Sequence, residues 1–305
     1  MAEAEVAIVG AGPAGLAAAL QLKRSGLEPL LLERERVGGL LLNANLVENY
    51  PGFPGGIRGE ELVRLFAKQL ESLGIELCFE EVLRLDHAGE AFVIETDKRR
   101  LEAKIAVLAS GTKPKEFADC EVPEEAKGRI FYEVYPLRKA SGRRIGIVGA
   151  GDAAFDYALN LASRGNEVHL LNRSERLRCL PLLWERATAM PQVHYHENTA
   201  IMEIVSSKDG LLRLGLAPRR GKRWVLELDY AIFALGRVPQ LDYLAEGLRG
   251  RLPELQEEGL LHLVGDLRRG RFRQTAIAVG DGLEAAMRIW QELRGEDDED
   301  RRDDG

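Results

Sequence analysis

Two glycine-rich segments of the sequence repeat a pattern whose residue types and spacing suit the binding of phosphate groups. They read "VAIVGAGPAGL" over residues 6–16 and "IGIVGAGDAAF" over residues 145–155. In each segment an apolar run predicts a strand, the glycines predict a tight turn, and the residues that follow predict a helix. Because a helix N-terminus presents N–H groups and a partial positive charge, each segment predicts an anion site.

The first copy has the glycine spacing of a dinucleotide-binding loop, with Gly10, Gly12 and Gly15 after the apolar run. The first glycine permits the turn, the second lets the backbone approach a pyrophosphate, and the third lets the helix pack close to the strand. Glu33 ends the next apolar run, where a carboxylate can accept hydrogen bonds from the two ribose hydroxyls of an adenosine. A glycine-rich turn in another kind of α/β protein is the alternative.

The second copy aligns with the first without a gap, and Gly149, Gly151 and Ala154 fall on the glycine positions. Asn172 falls where Glu33 stands, so the charge that would repel a ribose 2′-phosphate is absent. Three arginines follow in the stretch "RSERLR": Arg173, Arg176 and Arg178. Their guanidinium groups can bind a phosphate dianion, although a solvated basic turn is the alternative. The two loops therefore predict two different dinucleotides, with NADPH preferred over NADH at the second.

Composition limits the classes of function. A chain of 305 residues with 45% hydrophobic and 30% charged residues predicts a globular protein of two domains. The formal net charge of -7 argues against nucleic acid as a partner. We see neither an apolar run long enough for a membrane span nor a secretion signal, so we expect a cytoplasmic protein. The spacing of Cys78, Cys120 and Cys179 predicts neither a disulfide framework nor a metal site.

Four further segments resemble motifs of the thioredoxin reductase family. Residues 38–62, "GGLLLNANLVENYPGFPGGIRGEEL", are similar to its first flavin-binding segment, and residues 263–287, "LVGDLRRGRFRQTAIAVGDGLEAAM", to its second. The shorter "VLASGTKP" and "AIFALGRVP" resemble the motifs where the chain passes between domains. The resemblance implies an α/β fold with two Rossmann-like dinucleotide-binding domains, in which the NADPH domain is inserted into a discontinuous FAD domain. It also implies a homodimer.

The domain bounds expected from this resemblance are 1–112 and 240–294 for the FAD domain and 113–239 for the NAD(P)H domain. The charged residues 295–305 predict a disordered acidic tail. The loops and the resemblance together imply that FAD is bound by Gly10, Gly12, Pro13, Ala14, Gly15, Glu33, Gly39, Asn49, Tyr50, Gly111, Gly265, Asp266, Arg273 and Gln274. They imply that NADPH is bound by Gly149, Gly151, Asp152, Ala153, Ala154, Arg173 and Arg178.

From the residues alone, several of these assignments have structural alternatives. Asn49 and Gln274 can supply amide groups to a flavin, and Tyr50 can stack on its ring, but each is equally suited to an ordinary core or surface role. Asp266 is more informative, because a carboxylate that closes an apolar run needs hydrogen-bond donors, which ribitol hydroxyls would supply.

A thioredoxin reductase places a Cys-x-x-Cys just before the second glycine loop, and here that stretch reads "GRIFYEVYPLRKASGRRIGIVG". It contains Glu133 and Tyr135 but no cysteine, and neither side chain exchanges disulfides. The ferredoxin or flavodoxin NADP reductases of thioredoxin reductase type also lack this dithiol, and "GDAAFDYALNLA" resembles their second loop.

The leading hypothesis is a flavoprotein that passes electrons from NAD(P)H through FAD to a protein acceptor or small oxidant. The flavin would do the chemistry, so no catalytic side chain is assigned. A redox sensor and a reductase that uses partner cysteines are the alternatives.

Overall fold

The computed structural model describes residues 2–207 and 209–300, with side chains described for residues 4–207 and 209–295. The chain divides into two compact units. Unit 1 comprises residues 2–42, 48–113 and 238–300, and unit 2 comprises residues 43–47 and 114–237. The second unit is thus inserted into the first.

The helices are α1 (Pro13–Arg24), α2 (Gly59–Ser72), α3 (Glu124–Lys127), α4 (Asp152–Ala162), α5 (Pro181–Thr188), α6 (Glu246–Glu257) and α7 (Thr275–Asp300). The strands of the first half are β1 (Ala2–Val9), β2 (Leu30–Glu33), β3 (Leu77–Phe79), β4 (Val82–Ala88), β5 (Ala91–Thr96), β6 (Arg100–Leu108), β7 (Thr112–Pro114) and β8 (Ile130–Phe131). The later strands are β9 (Arg144–Val148), β10 (Glu167–Leu171), β11 (Val193–His196), β12 (Thr199–Ser206), β13 (Leu212–Pro218), β14 (Trp224–Leu228), β15 (Tyr230–Phe233), β16 (Arg237–Pro239) and β17 (Leu261–Leu263). Short 3₁₀ helices cover Gly39–Asn43, Tyr135–Leu137 and Gly265–Leu267.

Unit 1 is built on a seven-stranded sheet in the order β3-β2-β1-β6-β5-β4, with β17 also paired to β6. Strand β1 pairs in parallel with both β2 and β6, and both of its faces are buried, which explains its continuous apolar run. Helices α1 and α7 cover one face through a core that includes Leu16, Leu22 and Ile289. They approach so closely that a Cβ at Gly282 would lie 2.0 Å from the carbonyl oxygen of Ala14.

Unit 2 has a five-stranded parallel sheet in the order β11-β10-β9-β15-β8 and a separate antiparallel sheet, β12-β13-β14. One face of the parallel sheet packs on α4 and α5, with Phe155 and Ile147 fully buried between them. A second core joins Leu171 of β10 to Leu214 and Leu228 of the antiparallel sheet. The loops after β9 and β10 therefore lie at the carboxyl edge of a parallel sheet, where such folds bind ligands.

Residues 43–47 lie inside the first segment predicted for the FAD domain, but they group with unit 2. The Asn43 amide Nδ2 donates to Glu133 Oε2 at 3.2 Å, and the N–H of Asn45 donates to Asp156 Oδ2 at 2.8 Å. These hydrogen bonds, between residues far apart in sequence, place the short segment with the inserted unit.

Helix α7 extends beyond the end expected from the sequence. Residues 295–300, predicted to begin a disordered tail, are helical, and residues 301–305 of that tail lie outside the described residues. Once packing on α1 anchors a helix, each further residue adds a backbone hydrogen bond at low cost. Within the part of the chain that the structure describes, no helix is long and apolar enough to span a bilayer.

Candidate functional site

The loop between β9 and α4 has the backbone that close approach of a ligand requires. Gly149 has φ +146°, and a Cβ there would lie 2.5 Å from the carbonyl oxygen of Ala234, so this position demands glycine. Gly151 differs, because a Cβ there would meet no other described atom within 4 Å. The α4 N-terminus thus begins beside open space bounded by Gly151.

That space belongs to a cavity of about 630 Å³ within unit 2, a size that suits a nucleotide. It is lined by residues 114–119, 132, 148–154, 157, 171–174, 176, 178, 199–201 and 233–237. The structure therefore brings together on one cavity all the residues predicted for NADPH, namely Gly149, Gly151, Asp152, Ala153, Ala154, Arg173 and Arg178.

Asn172, at the end of β10, holds the arginine-containing turn rather than facing solvent. It is buried, and its Nδ2 donates to the hydroxyl of Tyr195 at 2.9 Å and to the carbonyl of Arg176 at 3.3 Å. Its Oδ1 accepts from the N–H of Ser174 at 3.1 Å. Asn172 therefore leaves this position without the carboxylate that Glu33 supplies in the first loop. It also fixes the turn, a second role that the sequence alone did not reveal.

The arginines of this turn differ in their partners. Arg173 Nη1 lies 3.1 Å from the Asp119 carboxylate, and its side chain is 74% exposed. Arg176 and Arg178 are exposed and line the cavity, and among the described residues their guanidinium groups form no ion pair. The N–H of Arg178 donates to the carbonyl of Ala150 at 2.9 Å, which ties this residue to the glycine loop. All three arginines thus line the cavity.

Asp152 has a structural partner that the sequence did not indicate. Its Oδ1 accepts a hydrogen bond from the N–H of Leu180 at 2.7 Å. Asp152 is the first residue of α4 and Ala153 the second, so this bond draws the segment after Arg178 onto the start of the helix. The carboxylate thereby shapes one wall of the cavity.

The first glycine loop, in unit 1, repeats this geometry. Gly10 has φ +104°, and a Cβ there would lie 2.6 Å from the carbonyl oxygen of Ala109, whereas one at Gly12 would meet no other described atom within 4 Å. A Cβ at Gly15, where the second loop has Ala154, would lie 1.9 Å from the Gly10 carbonyl oxygen. Pro13 opens α1, where its missing N–H costs no helical hydrogen bond. Gly39 packs against Gly12, because its Cβ position is 3.5 Å from the Gly12 Cα. Backbone next to Gly12 is therefore open to a pyrophosphate.

Glu33 folds back onto this loop. Its Oε2 accepts the N–H of Ala11 at 2.9 Å, and its Oε1 accepts the N–H groups of Glu35 at 3.0 Å and Arg36 at 3.3 Å. A carboxylate has about four acceptor sites, so these three bonds hold it beside the loop and leave one acceptor site, on Oε2, for a ribose hydroxyl.

Two of the predicted FAD residues, far apart in sequence, meet in the structure. Asn49 Nδ2 donates to Gln274 Oε1 at 2.8 Å. Tyr50, next in sequence, packs edge-on against Phe66 with ring centroids 6.1 Å apart, and burial raises the pKa of its hydroxyl. The two amides thus form one polar group in unit 1, and Tyr50 belongs to an aromatic cluster beside it.

The start of the second predicted flavin segment rests on a buried charge that sequence reasoning missed. Asp281 of α7 is 3% exposed, and its Oδ2 accepts the N–H of Gly265 at 3.1 Å. The same carboxylate accepts Arg269 Nε at 2.9 Å. Asp266, half-buried, follows Gly265 in the short 3₁₀ helix, which lies against Ala14 of the first loop. A carboxylate inside the otherwise apolar stretch "AIAVGDGL" was the available signal.

Two remaining candidates also lie in unit 1. Gly111 has φ +66°, and its carbonyl accepts the N–H of Gln240 at 3.0 Å. Arg273 is half-buried and immediately precedes Gln274. The role of both residues toward FAD stays a prediction.

The segment without the dithiol is held by polar side chains of unit 2. Glu133 lies 3.0 Å from Arg237 Nη1, and Asn43 Oδ1 accepts the N–H of Tyr135 at 3.0 Å. Tyr157, which lines the cavity, is buried nearby, and burial followed by the charge of Glu133 raises the pKa of its hydroxyl. Tyr157 therefore stays protonated at neutral pH.

The cysteines offer no thiol pair within the described residues. Cys78, Cys120 and Cys179 are all free and half-buried. Burial is the main cause that raises the pKa of each thiol. Their thiolates are therefore sparse at neutral pH, which makes them poor nucleophiles.

Comparison with known proteins gives matches along most of the chain. Residues 4–257 match the family described as pyridine nucleotide-disulphide oxidoreductase. The chain is 30% identical to NADPH-dependent thioredoxin reductase 3 of Arabidopsis thaliana, over 92% of this chain but only 57% of that protein. It is 32% identical to a ferredoxin–NADP reductase of Ignicoccus hospitalis, over 80% of this chain and 82% of that protein.

Solved structures of thioredoxin reductases also match this chain over most of its length. The thioredoxin reductase of Lactococcus lactis superimposes with a TM-score of 0.82 at 28% identity, covering 94% of this chain and 98% of that one. The thioredoxin reductase of T. acidophilum gives a TM-score of 0.83 at 26% identity, covering 96% and 99%. The predicted α/β fold class with dinucleotide-binding domains is thereby confirmed.

Proposed function

The chain belongs to the pyridine nucleotide-disulphide oxidoreductase family, and we propose that it passes electrons from NADPH through FAD to an external acceptor without a dithiol of its own. It is an oxidoreductase, and FAD and NADPH are the cofactors of enzymes of this type. The assignment of each cofactor to a unit, and the identity of the acceptor, are the proposed parts.

The observation that carries the NADPH assignment is the cavity of unit 2. Gly151 leaves its backbone open to a pyrophosphate, and the α4 N-terminus adds favourable dipole charge. Arg176 and Arg178 border the same cavity and can bind a ribose 2′-phosphate, while Asn172 adds no repelling charge. The residues present therefore fit NADPH better than NADH.

Unit 1 fits FAD by the same reasoning. Gly12 leaves room for the pyrophosphate at the α1 N-terminus, and Glu33, held at Ala11, is suited to the adenosine ribose. Asp266 and the paired amides of Asn49 and Gln274 offer acceptors and donors to the ribitol and the ring. When bound, FAD would supply hydride acceptance and stepwise electron release.

The proposal of an external acceptor rests on the absence of a cysteine pair that could accept electrons from the flavin. No two cysteines in the sequence are spaced Cys-x-x-Cys, and all three thiols are free. The similarity to a ferredoxin–NADP reductase favours a ferredoxin, a flavodoxin or a small oxidant such as a quinone as the acceptor. The similarity to thioredoxin reductases favours a second candidate, in which a partner protein supplies the disulfide.

The test is an anaerobic titration of the purified FAD-loaded protein, followed by visible absorbance. Stoichiometric bleaching by NADPH at concentrations where NADH has little effect would support the proposal. The reduced protein is then mixed separately with ferredoxin, a quinone and a disulfide-containing protein. Reoxidation by the disulfide-containing protein alone would favour the second candidate. A protein that binds FAD but is bleached by neither nucleotide would contradict the proposal and favour a redox sensor. The cytoplasmic location and the homodimer stay predictions.

A further inference from the structure

Three of the five histidines of the sequence lie together on one face of two neighbouring strands of unit 2. His169 of β10 is the register partner of His194 of β11, and Leu171 is the partner of His196. Because alternate residues of a strand share a face, Glu167 and all three imidazoles lie on the same side of the sheet. The opposite face is the apolar one that packs on α4 and α5.

The side-chain atoms of this group have the spacing of metal ligands. His169 Nε2 lies 3.3 Å from Glu167 Oε1, and His194 Nε2 lies 3.5 Å from the same oxygen. One ligand atom from each of the three residues falls within 4.8 Å of the other two. Ligands bound tetrahedrally at 2.0–2.1 Å stand about 3.4 Å apart, so a cation fits between these atoms with small side-chain shifts.

His169 is already oriented for this role. Its Nδ1 lies 3.0 Å from His196 Nε2, a hydrogen bond that leaves Nε2 directed toward Glu167. Nε2 is buried, and its contact with Glu167 Oε1 at 3.3 Å lacks the geometry of a full hydrogen bond. A histidine whose second ring nitrogen is hydrogen-bonded is the usual form of a metal ligand, because that bond fixes the tautomer and the ring.

The exposure of the three side chains agrees with this arrangement. The His169 side chain is 11% exposed, whereas those of Glu167 and His194 are 46% and 43% exposed. The group is therefore buried at one ligand and open to solvent at the other two, which gives an ion a path of entry.

We propose that Glu167, His169 and His194 bind a divalent transition-metal ion, with His196 as the positioning residue for His169. Two imidazoles and one carboxylate are borderline ligands that suit Zn²⁺ and disfavour Mg²⁺. The ion would link β11, the edge strand, to β10. The carbonyl of His196 also accepts the N–H of Asn172 at 2.9 Å, so the site adjoins the residue that holds the arginine turn.

The test is isothermal titration of the FAD-loaded protein with ZnCl₂ after treatment with a chelator, and MgCl₂ is the control titrant. We expect about one Zn²⁺ per chain and no comparable Mg²⁺ binding. Glu167→Ala and His194→Ala should each weaken Zn²⁺ binding at least tenfold, whereas His87→Gln, a change in unit 1, should leave it unaltered. Both cluster residues are half-exposed, so these variants are expected to fold, which circular dichroism checks.

A thermal melt supplies a second readout that does not depend on activity. Zn²⁺ should raise the melting temperature of the unmodified protein and of His87→Gln, but not of His194→Ala. Zn²⁺ uptake or stabilisation that is equal in the unmodified protein and in His194→Ala would overturn the proposal, as would the absence of Zn²⁺ binding.

Discussion

The guanidinium group of Arg173 lies 3.1 Å from the carboxylate of Asp119, and both residues line the cavity of unit 2. The phosphate proposed to bind at this turn would therefore compete with the Asp119 carboxylate for Arg173. Exposed ion pairs of this kind contribute only about 0.2–1 kcal/mol, so the competition is modest.

We expect Asp119→Ala to raise kcat/KM for NADPH by about two- to fivefold, because Arg173 no longer has to leave its partner. The value for NADH should not change. Steady-state kinetics with both coenzymes checks this, and the double variant Asp119→Ala/Arg173→Ala is the control. A gain that persists in the double variant would contradict the interpretation.

Arg178→Ala should lower kcat/KM for NADPH by about 10- to 100-fold, the size expected for lost charged hydrogen bonds. NADH, which lacks the 2′-phosphate, should be affected less than threefold. Arg176→Ala should act in the same direction, since Arg176 also lines the cavity. Arg223→Ala, at an exposed position outside the cavity, is the matched control. An equal decrease of kcat/KM for both coenzymes would contradict the assignment of these arginines to the 2′-phosphate.

The two glycines of the second loop should respond differently to alanine. Gly149→Ala should destabilise the fold by about 2 kcal/mol or more, because its φ is +146° and its Cβ would meet the Ala234 carbonyl. Gly151 has φ -100°, so Gly151→Ala should leave stability within about 0.5 kcal/mol but weaken NADPH binding at least tenfold. Urea unfolding and nucleotide titration separate the two effects. Tight NADPH binding by Gly151→Ala would place the pyrophosphate elsewhere.

Asp281→Ala should destabilise the protein by about 3 kcal/mol, since it removes a buried carboxylate that binds Arg269 and the N–H of Gly265. The control is Glu284→Ala on the same helix. The ion pair of Glu284 with Arg288 is exposed, so its loss should lower the free energy of unfolding by about 0.5 kcal/mol or less. Chemical unfolding of both variants with and without added FAD provides the measurement. Equal stability of the two variants would show that Asp281 is dispensable.

The protein should lose stability as pH falls below the ordinary histidine pKa, and His262 should contribute to this loss. Burial is the main cause that lowers the pKa of His262, aided by the charge of Arg288 and opposed by the hydrogen bond to the Gly259 carbonyl. The unfolded chain then takes up a proton before the folded one does, so the contribution is complete above about pH 6.5 and declines below it.

Urea midpoints at pH 7.5 and pH 5.5 test this expectation. The urea midpoint of the unmodified protein should be lower at pH 5.5 than at pH 7.5, and the decrease should be smaller for His262→Gln. An identical fall in both would assign the acid sensitivity to other groups.

Much of this protein could be predicted from short stretches of sequence. A strand, a glycine turn and a helix are adjacent in the chain, so their pattern specifies both loops and the open backbone at Gly12 and Gly151. The strands of the parallel sheets were likewise legible as buried apolar runs. The fold class, the family resemblance and the oxidoreductase activity followed from these local signals.

Tertiary structure alone decided which distant side chains meet. Asn49 reaches Gln274, and Asp281 reaches Gly265, through helix and loop packing that no local pattern encodes. Arg173 found a partner in Asp119 for the same reason.

The histidine group depends on the register of two parallel strands that are joined through a helix. A slip of one residue would turn the β11 histidines to the opposite face, and sequence spacing does not specify that register. Local hydrogen bonding and hydrophobic periodicity are therefore readable in sequence, whereas contacts across the fold exist only once packing has fixed the register and orientation of each element.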